Sequence, residues 1–122
     1  MSVLIVPRWG GTGADDWYPW LRAKLDVPTT VARLRPEPGA PTIKASVGEL
    51  RRVAPPDTLA GTLLVGHSVG CQALLRYVAS LPLGTNVGGL VAVAGWFSVD
   101  SIPTGPSRCA RKSPWNHTCC AA

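Results

Sequence analysis

Residues 62–78, TLLVGHSVGCQALLRYV, decide the fold. The apolar run from Thr62 to Val65 has the length and the Leu and Val content of a buried strand. A helical pattern follows directly from Val69 to about Ser80, and Leu81-Pro82 with Gly84 ends it. A strand that turns straight into a helix predicts a βαβ arrangement, in which a parallel sheet is covered by helices.

The rest of the first hundred residues repeats this alternation of apolar runs and amphipathic patterns. The additional predicted strands are Val3 to Val6, Thr30 to Leu34 and Leu90 to Ala94, and the additional predicted helices are Asp15 to Leu25 and Thr42 to Val53. Right-handed crossovers place the first strand in the middle, with the second strand on one side and the third and fourth on the other. The predicted fold class is therefore α/β, a parallel β-sheet of buried strands with helices on both faces.

Each of the three helices has a specific predicted apolar face. The expected faces are Trp17, Trp20, Leu21 and Leu25 in the first helix, Ile43, Val47, Leu50 and Val53 in the second, and Leu74, Leu75 and Val78 in the third. Asp15 and Asp16 are expected to complement the positive end of the first helix dipole. For Trp17, Trp20 and Trp96 both a core position and a place beside a ligand pocket stay open.

A nucleophile elbow is predicted at Gly66-His67-Ser68-Val69-Gly70, a Gly-X-Ser-X-Gly pentapeptide between a strand and a helix. The turn is so sharp that Ser68 must take a strained backbone conformation, while Gly66 and Gly70 leave room that side chains would fill. The hydroxyl of Ser68 is then aimed into the cleft, and the Val69 N–H points to where an oxyanion forms. The alternative is that a Gly-rich chain produced the pattern by chance.

Two neighbouring features need separate interpretations. His67 lies next to the serine, but its side chain is expected to project away from the nucleophile, so we interpret it as a packing residue and not as the general base. The loop after the first strand, residues 7–13, offers Trp9 and Gly10 as candidates for a second oxyanion donor. A phosphate-binding loop and a plain structural turn are the alternatives there, although the glycine spacing fits neither known phosphate pattern.

Composition and charge exclude several classes of protein. The net charge is +5, of which Arg108, Arg111 and Lys112 contribute three, so the first hundred residues are nearly balanced and a nucleic-acid partner is not expected. Hydrophobic residues make up 46% of the chain, without any run long enough for a membrane span. Neither a secretory signal nor a disulfide framework is evident, which predicts a cytoplasmic location. No cofactor is expected.

The chain resembles the small α/β hydrolases similar to retinoblastoma-binding protein 9 and the bacterial YdeN-like serine hydrolases. The resemblance is carried by residues 3–11, 16–21, 64–77 and 89–97. It implies a Ser-His-Asp hydrolase of small-molecule esters or amides, with Ser68 as the nucleophile. In the family, the acid and the histidine follow strands later than Leu90 to Ala94, and the sequence does not show these C-terminal strands.

Residues 101–122 differ in character from residues 1–100, which we predict to be the N-terminal part of the hydrolase domain. They contain three of the four cysteines but lack hydrophobic periodicity, so we expect an irregular or disordered tail, read out of frame or left by an early end of the gene model. Asp100 and His117 could substitute for the missing acid and base. Cys109, His117, Cys119 and Cys120 fit no common zinc pattern, so no metal is predicted.

Three hypotheses about function stay open. The first is a serine hydrolase that is inactive in this form because the triad Asp and His are missing. The second is a non-catalytic remnant or binding module on a hydrolase scaffold, and the third is a nucleotide-binding α/β protein. In the first two, Leu90 to Ala94 becomes a sheet edge with an uncovered apolar face, which invites aggregation.

Overall fold

The computed structural model describes residues 1–34 and 42–96. Within these residues, four strands, three α-helices and a short 3-10 helix alternate. In order they are β1 (Ser2–Val6), α1 (Tyr18–Lys24), β2 (Thr29–Val31), α2 (Ile43–Val53), the 3-10 helix (Pro56–Gly61), β3 (Thr62–His67), α3 (Val69–Ala79) and β4 (Gly89–Val93).

The four strands form one parallel sheet in the order β2-β1-β3-β4. Leu4 of β1 is aligned with Leu64 of β3, which in turn is aligned with Leu90 of β4. The predicted fold class and strand order are confirmed. Because all strands run the same way, the loops after β1 and β3 lie at the same edge of the sheet, where α/β proteins bind their ligands.

Helices cover both faces of this sheet, and strand residues alternate between them. On one face, Leu4, Val6 and Leu64 pack with Leu50 of α2 and Leu74 of α3. The other face buries Val3, Ile5 and Val65 against Tyr18 and the apolar side of α1. The alternation follows from the two-residue side-chain period of a strand.

The first helix is shorter than predicted, and one of its tryptophans is outside the core. It begins at Tyr18 and not at Asp15, because Trp17 is its N-cap residue and Asp16 has a positive φ of 52°. Trp20 is 61% exposed, so its predicted place on the apolar face is wrong, whereas Tyr18 is fully buried. Asp15 and Asp16 precede the helix, and their carboxylates accept hydrogen bonds from Thr12 and Arg8 of the same loop.

The prediction that all strands are buried is wrong for β4. This strand pairs with β3 at the edge of the four-stranded sheet, and Leu90 and Val91 are 41% and 44% exposed. The strand β2 is also shorter than predicted, since it ends at Val31, although Ala32 and Leu34 beyond it are buried. Within the described residues, no element covers the apolar side chains of Leu90 and Val91, which agrees with the predicted uncovered face of β4.

The third helix presents a different face from the predicted one. Leu74 is buried as expected, but Leu75 and Val78 are only partly buried, and Tyr77 is fully buried in their place. The Tyr77 hydroxyl donates a hydrogen bond to the carbonyl oxygen of Ala54 at the end of α2. This polar contact lets a tyrosine fill the core between the two helices.

An apolar groove lies on the sheet face that α1 covers. It has a volume of about 400 Å³ and is lined by β1, α1, β3 and β4, with Trp17, Leu21, Val65, Val91 and Val93 among the lining residues. Every lining side chain is hydrophobic. Trp17 therefore belongs both to a hydrophobic cluster and to the wall of a groove.

Candidate active site

Ser68 occupies a strained turn between β3 and α3. The strand ends at His67, the helix begins at Val69, and Ser68 between them has φ 53° and ψ −123°. A residue with a Cβ adopts such a conformation only when the surrounding structure holds it there, and the strain amounts to about 1–3 kcal/mol. The turn places Ser68 at the carboxyl edge of the sheet, with the Val69 N–H in the first turn of the helix.

Gly66 and Gly70 allow the close packing around this turn. A Cβ at Gly70 would lie 2.2 Å from the carbonyl oxygen of Val6 and 2.5 Å from that of Pro7. A Cβ at Gly66 would lie 2.9 Å from the Cα of Cys71. All three distances are shorter than real Cβ contacts, so α3 can pack against the ends of β1 and β3 only because glycine stands at these two positions.

Main-chain hydrogen bonds attach the elbow to the neighbouring strand. The N–H of Ser68 donates to the carbonyl oxygen of Val93 at the end of β4 over 2.9 Å, and the N–H of Cys71 donates to the carbonyl oxygen of Ser68 over 3.0 Å. The Cys71 thiol is buried, and this burial raises its pKa. A protonated, buried thiol is a poor nucleophile, so the hydroxyl of Ser68 is the stronger candidate for the reactive group here.

The loop between β1 and α1 is held by its own side chains. Asp15 accepts hydrogen bonds from the backbone N–H and the hydroxyl of Thr12, at 2.7 and 2.8 Å. Asp16 accepts one from Nε of Arg8 at 2.7 Å. The candidate donors Trp9 and Gly10 lie in this loop, and Gly10 has a positive φ of 67°. The carboxylates of Asp15 and Asp16 would repel an anion, so they argue against a phosphate-binding role, as the glycine spacing also does.

The bonds of Asp15 predict a pH dependence of the loop. Hydrogen bonds, first from the Thr12 backbone and then from its side chain, lower the pKa of Asp15. A lowered folded-state pKa stabilises the loop above the ordinary aspartate pKa, and this contribution is lost as the pH falls through the folded value. The Thr12 amide resonance should therefore titrate with a midpoint below the ordinary aspartate value. Asp15→Asn should abolish that titration, and a midpoint above the ordinary value would contradict the assignment.

His67 contacts aromatic side chains of α1 and its N-cap. Its Nδ1 lies 2.7 Å from the Tyr18 hydroxyl, and its ring centroid lies 5.5 Å from that of Trp17. The same Tyr18 hydroxyl accepts a hydrogen bond from the backbone N–H of Arg8 at 3.0 Å. Sequence reasoning assigned His67 to packing but missed this polar contact, because no local pattern indicates that a helix residue will meet it.

Two further sequence-based candidates lie outside the described residues, namely Asp100 and His117. In residues 1–34 and 42–96 no group of three or more His, Cys, Asp and Glu side chains could hold a metal ion. Within the same residues, no helix is long and apolar enough to cross a membrane. The boundary predicted near residue 100 stays a prediction.

Comparisons with known proteins agree with this fold. A model of the serine hydrolase family matches residues 3–119. The chain is 31% identical over 106 residues to YdeN of Bacillus subtilis (strain 168), a protein named as a hydrolase. The match covers 84% of this chain and 54% of YdeN. The crystal structure of the B. subtilis ydeN gene product matches with a TM-score of 0.70 and 30% identity, over 78% of this chain and 52% of that one.

The parallel sheet with its strand–serine–helix turn defines an α/β fold of the hydrolase type. The chain belongs to the serine hydrolase family, and it is similar to YdeN. It spans about half the length of that relative.

Proposed function

We propose that this protein provides the nucleophile and the oxyanion-binding groups for acyl hydrolysis of small-molecule esters or amides. The observation that carries the proposal is the backbone of Ser68, with its positive φ between two close-packed glycines. Membership of the serine hydrolase family supports the reaction class. We further propose a cytoplasmic location, which the free, buried Cys71 favours.

In this reaction the Ser68 oxygen attacks the acyl carbon while a general base removes the hydroxyl proton. The carbonyl oxygen becomes an oxyanion, for which we propose the N–H of Val69 and an N–H of the loop at Trp9 or Gly10 as donors. The leaving group departs with a proton, and water then releases the acid from the acyl-serine. The groups that hold the oxyanion come from two neighbouring strand ends, β1 and β3.

The general base is the part of the machinery that residues 1–34 and 42–96 do not provide. His67 is the one histidine within these described residues, and its Nδ1 already forms a hydrogen bond with the Tyr18 hydroxyl. We therefore propose that this chain on its own hydrolyses esters very slowly. Loss of the catalytic histidine alone lowers turnover by on the order of a million-fold in well-studied serine hydrolases, while the oxyanion hole and binding retain about a thousand-fold over water.

Labelling with a fluorophosphonate probe tests the proposal. The purified 122-residue protein is compared with Ser68→Ala, which removes the attacking oxygen and keeps the Cβ. We expect slow, saturable labelling that disappears in Ser68→Ala. Labelling of equal rate in both proteins would place the reactive group elsewhere. A folded wild-type protein without any labelling would favour a non-catalytic binding module on the same scaffold.

A further inference from the structure

We propose that the Tyr18 hydroxyl is a positioning group that connects the candidate oxyanion loop to the nucleophile elbow, by accepting from the Arg8 N–H and donating to Nδ1 of His67. The inference rests on the proposed function and adds to it a residue that neither the elbow motif nor the loop contains. Tyr18 is the first residue of α1, so a single side chain contacts the loop after β1 and the end of β3.

The proton positions follow from the donors and acceptors present. The backbone N–H of Arg8 can only donate, so the Tyr18 oxygen accepts that bond at 3.0 Å. The phenol is fully buried and burial raises its pKa, so it keeps its own proton. A buried hydroxyl proton needs an acceptor, and Nδ1 of His67 lies 2.7 Å away. Nδ1 must then be unprotonated, which places the ring proton of neutral His67 on Nε2.

Each of the two residues that Tyr18 contacts lies just before a proposed oxyanion donor in the chain. Arg8 immediately precedes Trp9, and its guanidinium also donates to the Trp9 carbonyl oxygen at 2.9 Å. His67 immediately precedes Ser68. Both partners bond to the same oxygen atom, so the Tyr18 hydroxyl holds the Arg8 N–H and Nδ1 of His67 close to each other. Edge-on contacts with Trp17 and His67 fix the ring that carries this hydroxyl.

The chain contains a matched control for this hydroxyl. Tyr77 is equally buried, and its hydroxyl also donates a hydrogen bond, but to Ala54 on the opposite face of the sheet. Tyr18→Phe and Tyr77→Phe each remove one buried hydroxyl and keep the aromatic ring. A general loss of stability should appear in both variants, whereas a change at the elbow should appear only in Tyr18→Phe.

The test that needs no catalysis is nuclear magnetic resonance of the histidine rings and the backbone amides. In the wild type at neutral pH we expect His67 with an unprotonated Nδ1, assigned by comparison with His67→Gln, and this measurement alone tests the proton assignment. In Tyr18→Phe we expect a mixture of the two neutral His67 tautomers. We also expect a roughly ten-fold loss of hydrogen-exchange protection at the Arg8 amide, because one ordinary hydrogen bond has been removed. Tyr77→Phe should change neither. A protonated Nδ1 in the wild type, or equal changes in both variants, would overturn the inference.

The positioning role of Tyr18 is tested by the rate at which a fluorophosphonate probe labels Ser68. We expect labelling of Tyr18→Phe to be slower than that of Tyr77→Phe by roughly two- to thirteen-fold, since one hydrogen bond contributes about 0.5–1.5 kcal/mol. Equal rates would overturn the positioning role. If the wild type does not label at all, the proposed hydrolase function fails, while the resonance experiment still decides whether Tyr18 bridges the two segments.

Discussion

Gly70→Ala is expected to lose more than about 3 kcal/mol of folding free energy, or to prevent folding altogether. The added Cβ would lie 2.2 Å from the carbonyl oxygen of Val6. The Cβ is fixed to the backbone of α3, and the carbonyl belongs to the main chain of β1. No side chain can rotate away to relieve this overlap. Either α3 moves off β1 or the end of β1 is displaced, and each movement also disturbs Ser68.

Gly48→Ala is the control for this substitution. Gly48 lies in the middle of α2, where an added Cβ would meet nothing within 4 Å. Because alanine is the better helix former, this variant should be more stable by up to about 1 kcal/mol. Urea unfolding followed by circular dichroism measures both variants. A Gly70→Ala protein as stable as the wild type would show that the elbow packs less closely than described.

Val91→Lys is expected to suppress self-association of the protein and its binding of a hydrophobic dye such as anilinonaphthalene sulfonate. Val91 lies on β4 at the edge of the described sheet, is 44% exposed, and forms part of the apolar groove beside α1. An edge strand with an apolar face is a template for pairing with another chain, and a lysine charge opposes that pairing. Sedimentation velocity and dye fluorescence measure the two effects.

Leu83→Lys controls for the simple addition of charge. Leu83 is fully exposed in the turn between α3 and β4 and does not line the groove. The Leu83→Lys variant should therefore keep self-association and dye binding close to the wild-type values. A wild-type protein that is monomeric and binds no dye would contradict the prediction, and so would an equal effect of both lysine substitutions.

The sequence was sufficient for the features that depend on local periodicity and on chain connectivity. The strand order follows from right-handed crossovers, and the strained turn follows from glycines at 66 and 70 on either side of Ser68. Burial was harder to predict, because periodicity describes a side chain's direction and not what covers it. Leu90 and Val91 have the composition of a buried strand but lie at an exposed edge of the described sheet.

The aromatic segment at the start of α1 shows what local patterns cannot decide. Spacing favoured Trp20 as a core residue, but the helix begins three residues later than expected and buries Tyr18 instead. The reason is tertiary: the Tyr18 hydroxyl finds two polar partners, Arg8 and His67, in the interior. One of these partners is 49 residues away in the chain, a separation that no helical or strand pattern encodes.

The backbone conformation of Ser68 also has an evolutionary meaning. Glycine tolerates a φ of 53° with a ψ of −123° far better than serine does, so folding alone favours glycine at this position by about 1–3 kcal/mol. Selection for stability and selection for a hydroxyl therefore act in opposite directions on one residue. A lineage in which the hydroxyl had no task would become more stable by exchanging this serine for glycine. Serine in this turn is therefore the residue expected if the proposed hydrolase reaction is under selection.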